Sequence, residues 1–181
     1  ITTSTGLTVT TDLSVNSVTV GKGANSVTGN TVVGESALDA VTTGSSNTAV
    51  GNVALTENTT GSSNVAVGRQ CLDANTTGGS NVAVGRGSLG SNTTASNNAA
   101  VGTDALTANT TGSENVAVGG NALLTANASY NTAIGYDAMK LNTTGNSNVA
   151  VGYHALDANT TGNANTAVGV GALDANTTAA E

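Results

Sequence analysis

The chain of 181 residues contains no proline, phenylalanine or tryptophan, and only 8% of its residues are charged. Its hydrophobic residues are mostly Ala, Val and Leu, so a wide core of large side chains is not expected. The four Lys and Arg residues form no cluster and the net charge is −7, so nucleic acid is not an expected partner. No apolar run is long enough for membrane insertion. The single cysteine, Cys71, gives no intrachain disulfide framework.

A nine-residue pattern, Asn-Thr/Val-Ala-Val-Gly-x-x-Ala-Leu, recurs through most of the chain. Consecutive copies begin 17 residues apart, with one step of 16. The copies begin at Asn30, Asn47, Asn64, Asn81, Asn98, Asn115, Asn131, Asn148 and Asn165. A fixed period this short indicates one structural unit stacked on copies of itself. It also argues against the disorder that low charge and many polar residues would otherwise suggest.

Each copy divides into a short strand followed by turns. Asn-x-Ala-Val places the second and fourth residues on one face of a strand and the third on the other. Gly in the fifth position permits φ > 0, Ala-Leu forms a second apolar segment, and a recurring Asn-Thr-Thr-Gly supplies turn chemistry. The chain is therefore predicted to be an all-β parallel β-solenoid of about nine 17-residue coils. A helical solenoid is disfavoured, because 17 residues cannot hold a helix pair with its loops.

The chain divides into an N-terminal segment, residues 1–29, and a repeat array, residues 30–181. In the first part, Leu7, Val9, Leu13 and Val15 share odd positions, which predicts a strand with one buried face. Residues 17–21 are similar to a degenerate first repeat. Terminal repeats are often atypical because they cap the stack, so this segment is predicted to be a capping repeat.

The predicted coil is thin, because each copy offers only one Val, one Leu and some Ala for burial. At about 25 cal/mol per Å², this burial scarcely offsets the cost of ordering the coil. A column of Ala on the opposite face of the strand would let another chain approach closely. We therefore expect chains to associate side by side, with three around an axis as the preferred arrangement.

Two motifs carry a resemblance to known families. Asn-Thr-Ala-Val-Gly at 47–51, with Asn-Thr-Thr-Gly-Ser-Ser at 58–63, resembles the repeats of phage tail-fibre proteins that often carry an endosialidase-type intramolecular chaperone domain. The pattern is also similar to the Asn-Ser-x-Ala-Ile-Gly-x-x-Ser repeat of YadA-type heads in trimeric autotransporter adhesins. The resemblance covers about residues 15–181 and implies a left-handed parallel β-roll assembled as a homotrimer. YadA-type coils are usually shorter, and no chaperone domain, membrane anchor or receptor-binding tip is recognisable in the sequence.

The resemblance implies a structural, non-enzymatic segment of a trimeric phage tail fibre that takes part in host attachment as part of the virion. One alternative is the head of a bacterial cell-surface adhesin that binds matrix or glycans, and another is a self-assembling extracellular filament. Expected partners are further copies of the chain and a host receptor or glycan. No catalytic residue, metal site or cofactor is predicted, because the sequence has no nucleophile–His–acid set, phosphate-binding loop or metal cluster.

The sixth and seventh positions vary most between copies, so they are the predicted binding surface. They hold the candidate residues Arg69, Arg86, Tyr136, Tyr153 and His154. Cys71 occupies the eighth position, where other copies have Ala or Ser, and is predicted to be a small buried residue rather than a reactive or interchain thiol.

Three other recurring features are assigned to the surface or to turns. The tenth position is acidic in four copies, at Asp39, Asp73, Asp157 and Asp174, and is predicted to be a solvated face rather than a cation ladder. The repeated Asn-x-Ser/Thr triplets are predicted to be turn chemistry rather than glycosylation sites. Ice binding is disfavoured, because the Thr pairs adjoin Gly in a predicted turn.

Overall fold

The computed structural model describes residues 12–179, which form one 11-stranded sheet. The strands follow one another in the sheet in chain order. They are β1 (Leu13–Val15), β2 (Val18–Gly21), β3 (Thr31–Gly34), β4 (Thr48–Val50), β5 (Val65–Val67), β6 (Val82–Val84), β7 (Ala99–Val101), β8 (Val116–Val118), β9 (Thr132–Ile134), β10 (Val149–Val151) and β11 (Thr166–Val168). A single 3₁₀ turn spans Ala24–Ser26.

Strands β3 to β11 are parallel and in register, and each starts at the second residue of one repeat. The third residue of every repeat pairs with the third residue of the next, as Ala49 does with Ala66. The chain between successive strands makes about eight stacked turns of roughly 17 residues. The predicted all-β class and parallel β-solenoid are therefore confirmed.

The first two strands close the N-terminal end of the solenoid. β1 pairs antiparallel with β2, and β2 pairs antiparallel with β3. Both carboxylate oxygens of Asp12 accept backbone hydrogen bonds, from the N–H groups of Lys22 at 2.7 Å and Gly23 at 2.8 Å. Residues 17–21 are thus half of a capping hairpin and not a parallel first coil. Leu7 and Val9 lie outside the described residues, and Leu13 is exposed, so the predicted buried face is not found at Leu13.

The core consists of two facing columns of small and medium side chains inside the coil. The third-position Ala residues, including Ala66 and Ala117, are buried, and so are the ninth-position Leu residues such as Leu72 and Leu123. The sequence-based expectation that the Ala column contacts another chain is therefore wrong. The coil is thin, and a small side chain, Ala in eight of the nine repeats and Val32 in the first, fits opposite the Leu of the same chain.

The Ala-Leu segment forms no strand. Instead, the seventh and ninth residues of each copy adopt left-handed backbone conformations, as at Val53 (φ 52°) and Leu55 (φ 53°). The segment still joins the coils, because the N–H of Leu55 donates to the carbonyl of Cys71 at 3.0 Å. Gly51 has φ 138°, as expected for the fifth position, and a Cβ built on it would lie 2.5 Å from the carbonyl oxygen of Gly68. The next coil therefore leaves no room for a side chain there.

Candidate functional site

The outer face of the sheet carries an unbroken column of aliphatic side chains. It consists of the fourth residue of each repeat, extended by two residues of the N-terminal hairpin that pair into the same column. Most of its members are between 37 and 46% exposed, although all of them are Leu, Val or Ile. The column contains Leu13, Val20, Val33, Val50, Val67, Val84, Val101, Val118, Ile134, Val151 and Val168.

A second outward column lies beside the first and holds the second residue of each repeat, which is the first residue of its strand. These positions carry only Thr, Val or Ala, so neither column contains a charged residue. With nine parallel strands about 4.8 Å apart, the two columns form a largely apolar strip about 40 Å long, in which Thr is the one polar residue type. A contiguous strip of exposed aliphatic side chains of this length is typical of interaction surfaces. We refer to it as the outer strip.

Sequence reasoning placed these valines in the core of the coil and therefore missed the outer strip. The available signal was that the fourth position never varies to a polar residue. Alternation alone could not find the strip, because the residues on both faces of the strand are apolar.

Three of the five predicted binding residues come together on one edge of the last coils. The rings of Tyr136 and Tyr153 are stacked with centroids 6.1 Å apart and an interplanar angle of 15°. The His154 ring meets Tyr153 edge-on at 4.2 Å between centroids. Both Tyr side chains are about half exposed. Gly120 lies beside Tyr136, since a Cβ built there would be 3.1 Å from a carbon of the ring.

A polar network borders the tyrosines and crosses three coils. Nδ1 of His154 lies 2.8 Å from Oδ2 of Asp157, while Nε2 lies 3.7 Å from Oδ2 of Asp137. Asp137 also accepts hydrogen bonds from Nδ2 of Asn121 at 2.8 Å and from Nζ of Lys140 at 3.1 Å. The hydrogen bond to Asp137 raises the pKa of Lys140. These polar groups therefore bind one another across coils.

The two arginines among the predicted binding residues lie apart from the tyrosines, on two neighbouring coils. Arg86 forms an ion pair with Asp104, and Arg69 is exposed. An open groove next to Arg86 is lined in part by Gly87 and Gly90. The structure thus divides the five candidates into two sets. We refer to Tyr136, Tyr153 and His154 as the aromatic group, and the two arginines lie apart from it.

Cys71 is buried and its thiol donates to the carbonyl of Gly85. Burial raises the pKa of the thiol, against the effect of nearby backbone hydrogen bonds, and so disfavours the nucleophilic thiolate. The predicted small buried role of Cys71 is confirmed, and the thiol is not placed to bridge chains.

The Asn residues of most Asn-x-Ser/Thr triplets are also buried. Asn58, for example, is inaccessible and donates from Nδ2 to the carbonyl of Gly61 at 3.0 Å. Turn chemistry is therefore confirmed at the buried positions. The acidic residues of the tenth position differ in their exposure to solvent. Asp39 is exposed, whereas Asp73 is partly buried, and this burial raises the pKa of its carboxyl group.

Within residues 12–179, no group of three or more His, Cys, Asp or Glu side chains is arranged to hold a metal ion. The same residues include no helix with the length and apolar character needed to cross a membrane. Comparison of the chain with protein-family models, curated proteins and solved structures finds no match.

Proposed function

We propose that this chain is a structural, non-enzymatic segment of a trimeric phage tail fibre, and that it extends and displays receptor-binding parts of the fibre during host attachment. In this arrangement three left-handed solenoids lie side by side, with their outer strips facing a common axis. The single observation that supports the proposal best is the outer strip, a flat apolar surface along a uniform rod.

The outer strip fits burial by other copies better than exposure to solvent. The fourth position of every repeat is aliphatic, so this column of the strip has no charged side chain to discourage association. Three identical strips around an axis would bury one another, and the net charge of −7 per chain would remain on the outside. The extra burial supplies stability that one thin coil lacks.

The assembly is tested by placing one charge on the outer strip. For Val101→Lys we expect loss of association, because a buried ammonium group would meet its copies at the axis. Thr103→Lys is the matched control, since Thr103 is exposed on the same coil but away from the outer strip. Light scattering should give three times the 17.3 kDa chain mass for the wild type and for Thr103→Lys, and a lower mass for Val101→Lys. A wild-type monomer would contradict the trimer.

The biological setting is tested by labelling with an antibody raised against the purified segment. Electron micrographs of the source culture should show label along fibres of virus particles. Label on the bacterial surface would favour the adhesin, and label on free threads would favour an extracellular filament. Either result would replace the tail-fibre proposal.

The aromatic group favours the adhesin head as a second candidate function. Tyr136 and Tyr153 are half exposed, and their hydroxyl groups can hydrogen-bond the hydroxyl groups of a host glycan. Under this alternative, Tyr136→Ala with Tyr153→Ala should abolish binding of the segment to host cells. Alanine at Arg69 and Arg86 is the comparison, because these residues lie apart from the aromatic group. Equal binding by all variants would remove the candidate surface altogether.

A further inference from the structure

One coil in the middle of the solenoid, in the repeat that begins at Asn81, has glycine at both the seventh and the tenth positions. The repeats directly before and after it carry side chains at both positions. In chain order, the residues at these positions of the three repeats are Gln70, Asp73, Gly87, Gly90, Asp104 and Thr107. All six line the open groove next to Arg86, which has a volume of about 400 Å³. We refer to it as the glycine groove, and none of its lining residues belongs to the outer strip.

The glycine at position 90 leaves one backbone carbonyl without a hydrogen bond that other coils make. Where the tenth position is threonine, its hydroxyl group reaches the preceding coil. Oγ1 of Thr56 donates to the carbonyl of Ser36 at 2.8 Å, and Oγ1 of Thr107 donates to the carbonyl of Gly87 at 2.9 Å. The equivalent acceptor below Gly90 is the carbonyl of Gln70, and no backbone N–H of residues 12–179 donates to it. This carbonyl is therefore free to accept a hydrogen bond from a ligand.

Three acceptor oxygens surround the space beside Gly90. A Cβ built there would lie 3.2 Å from the carbonyl oxygen of Gly87, 3.4 Å from Oδ1 of Asp73 and 3.7 Å from the carbonyl oxygen of Gln70. These are the three nearest atoms, and none of them belongs to a donor. A group that enters this space must therefore donate hydrogen bonds.

The charges of the groove favour a cation in the same place. Asp104 is already paired with Arg86, whereas Asp73 forms no ion pair among residues 12–179. Partial burial raises the pKa of the Asp73 carboxyl group, and the charge of Glu57 adds to this effect. A partly buried carboxylate without a counter-ion is stabilised when a cation approaches it.

We propose that the glycine groove binds an amino sugar, and that the primary ammonium group of the sugar lies beside Gly90. An ammonium group has three N–H donors and no acceptor, which matches the three oxygens. It would pair with the carboxylate of Asp73 and would donate to the carbonyl of Gln70, as threonine does in other coils. Calcium fits less well, because it prefers about six to eight oxygen ligands and the space beside Gly90 offers three.

The remaining lining of the groove fits the hydroxyl groups of a sugar ring. Gln70 contributes a side-chain amide, Ser91 a hydroxyl group and Arg86 a guanidinium group. Together they supply the donors and acceptors that adjacent sugar hydroxyl groups need. Ala74 adds a small apolar surface for the carbon atoms of the ring. A lysine side chain would use only the Asp73 end of the groove, because it has no hydroxyl groups.

The test is an NMR titration of the full chain with glucosamine, followed through the amide signals of Gly87 and Gly90. N-acetylglucosamine is the matched ligand control, since it keeps the ring and loses the positive charge. We expect it to bind at least about tenfold more weakly than glucosamine, as does a hydrogen bond that loses its charged partner. Asp73→Asn should weaken glucosamine binding by a similar factor. Asp39→Asn, at the same repeat position on an exposed residue, should leave binding unchanged.

Gly90→Thr tests the same site through shape. Threonine occupies this repeat position at Thr56 and Thr107, and Gly90 does not have a left-handed backbone, so the variant should fold. Its hydroxyl group would donate to the carbonyl of Gln70 and fill the ammonium site, so we expect glucosamine binding to be lost. Light scattering of the variant should match the wild type, because the groove lies off the outer strip. Loss of this site and failure of the trimer are therefore separate results.

Three results would overturn the proposal. The first is equal binding of glucosamine and N-acetylglucosamine. The second is glucosamine binding that survives both Asp73→Asn and Gly90→Thr. The third is binding of lysine amide as tight as that of glucosamine, because the groove would then recognise an ammonium group alone and not an amino sugar.

Discussion

Oδ1 of Asn127 lies 3.0 Å from the backbone nitrogen of Thr111 and accepts its hydrogen bond. The same oxygen accepts the N–H of Thr110 at 3.1 Å. In complete copies, both positions donate to one backbone carbonyl of the next coil, as Thr59 and Thr60 do to Thr76. The copy that begins at Asn115 is one residue short, so the side chain of Asn127 supplies the acceptor that the missing residue would have provided.

We expect Asn127→Ala to destabilise the protein by about 1–3 kcal/mol, because two backbone N–H groups lose the one acceptor that they have among residues 12–179. Urea unfolding followed by circular dichroism would measure the change. Asn127→Asp is the control, since its carboxylate keeps an acceptor at the same place. If Asn127→Ala were as stable as the wild type, the side chain would not replace the carbonyl.

Two columns of buried Asn side chains run along the solenoid, and they differ in the groups to which they hydrogen-bond. Asn64, in the first position, and Asn75, in the twelfth, both donate from Nδ2 to the carbonyl of Gly78, at 2.8 and 3.0 Å. Oδ1 of Asn64 also accepts the backbone N–H of Asn81 at 3.0 Å, whereas Oδ1 of Asn75 accepts only the side-chain amide of Asn92. Only the first column therefore holds the backbone of the next coil.

This difference predicts that Asn64→Ala costs more stability than Asn75→Ala, by about 1–2 kcal/mol, because only the former leaves a buried backbone N–H unpaired. The two substitutions remove the same atoms and both leave Gly78 with one remaining donor, so each serves as the control for the other. Denaturant titrations of the two variants under identical conditions give the comparison. Equal losses would mean that the bond from the Asn81 backbone is worth no more than the side-chain bond from Asn75 to Oδ1 of Asn58.

The period, the strand and the fifth-position glycine could be predicted because each depends on local chemistry that recurs in every copy. Gly51 illustrates this, since a sharp turn directly after a β-branched residue has few other solutions. The left-handed conformation of Leu55 could not be predicted in the same way. This conformation costs about 1–2 kcal/mol for a residue with a side chain, and only burial against the Ala column offsets that cost.

The inner and outer faces of the strand were assigned the wrong way round for a related reason. Ala117 and Val118 are both apolar, so alternation shows that they face opposite sides but not which side is the core. The deciding quantity is the width of the coil, which depends on turns that the sequence does not specify. The aromatic group also depends on these turns, because stacking of Tyr136 and Tyr153 requires their coils to be in register.

The burial of the Ala column determines the expected result of a charge at Ala117. Since Ala117 is buried inside its own coil, Ala117→Asp should unfold the solenoid at every protein concentration, because the carboxylate has no partner there. Circular dichroism after dilution would show loss of β-structure in Ala117→Asp. Val118→Asp should keep this structure and lose only association. A folded but dissociated Ala117→Asp variant would restore the Ala column as the contact between chains.

Asp73 gives a stability change that depends on pH. Burial raises the pKa of its carboxyl group, with a smaller contribution from the charge of Glu57. A group whose pKa is higher in the folded state stabilises the fold when protonated, and this contribution is lost as the pH rises through the folded pKa. The ionised Asp73 is therefore unfavourable at neutral pH. We expect Asp73→Asn to raise the melting temperature at pH 7, and this advantage should disappear once the pH falls below the ordinary range of an aspartate.

The control for this prediction is Asp39→Asn, which changes the same tenth position on an exposed residue of the first coil. Because solvent already surrounds Asp39, removing its charge should shift the melting temperature much less at pH 7. Melting curves of both variants and the wild type between pH 3 and pH 8 would separate the two sites. An Asp73→Asn advantage that stayed constant across this range would show that the substitution acts through packing or hydrogen bonding, and not through the cost of burying the ionised carboxylate.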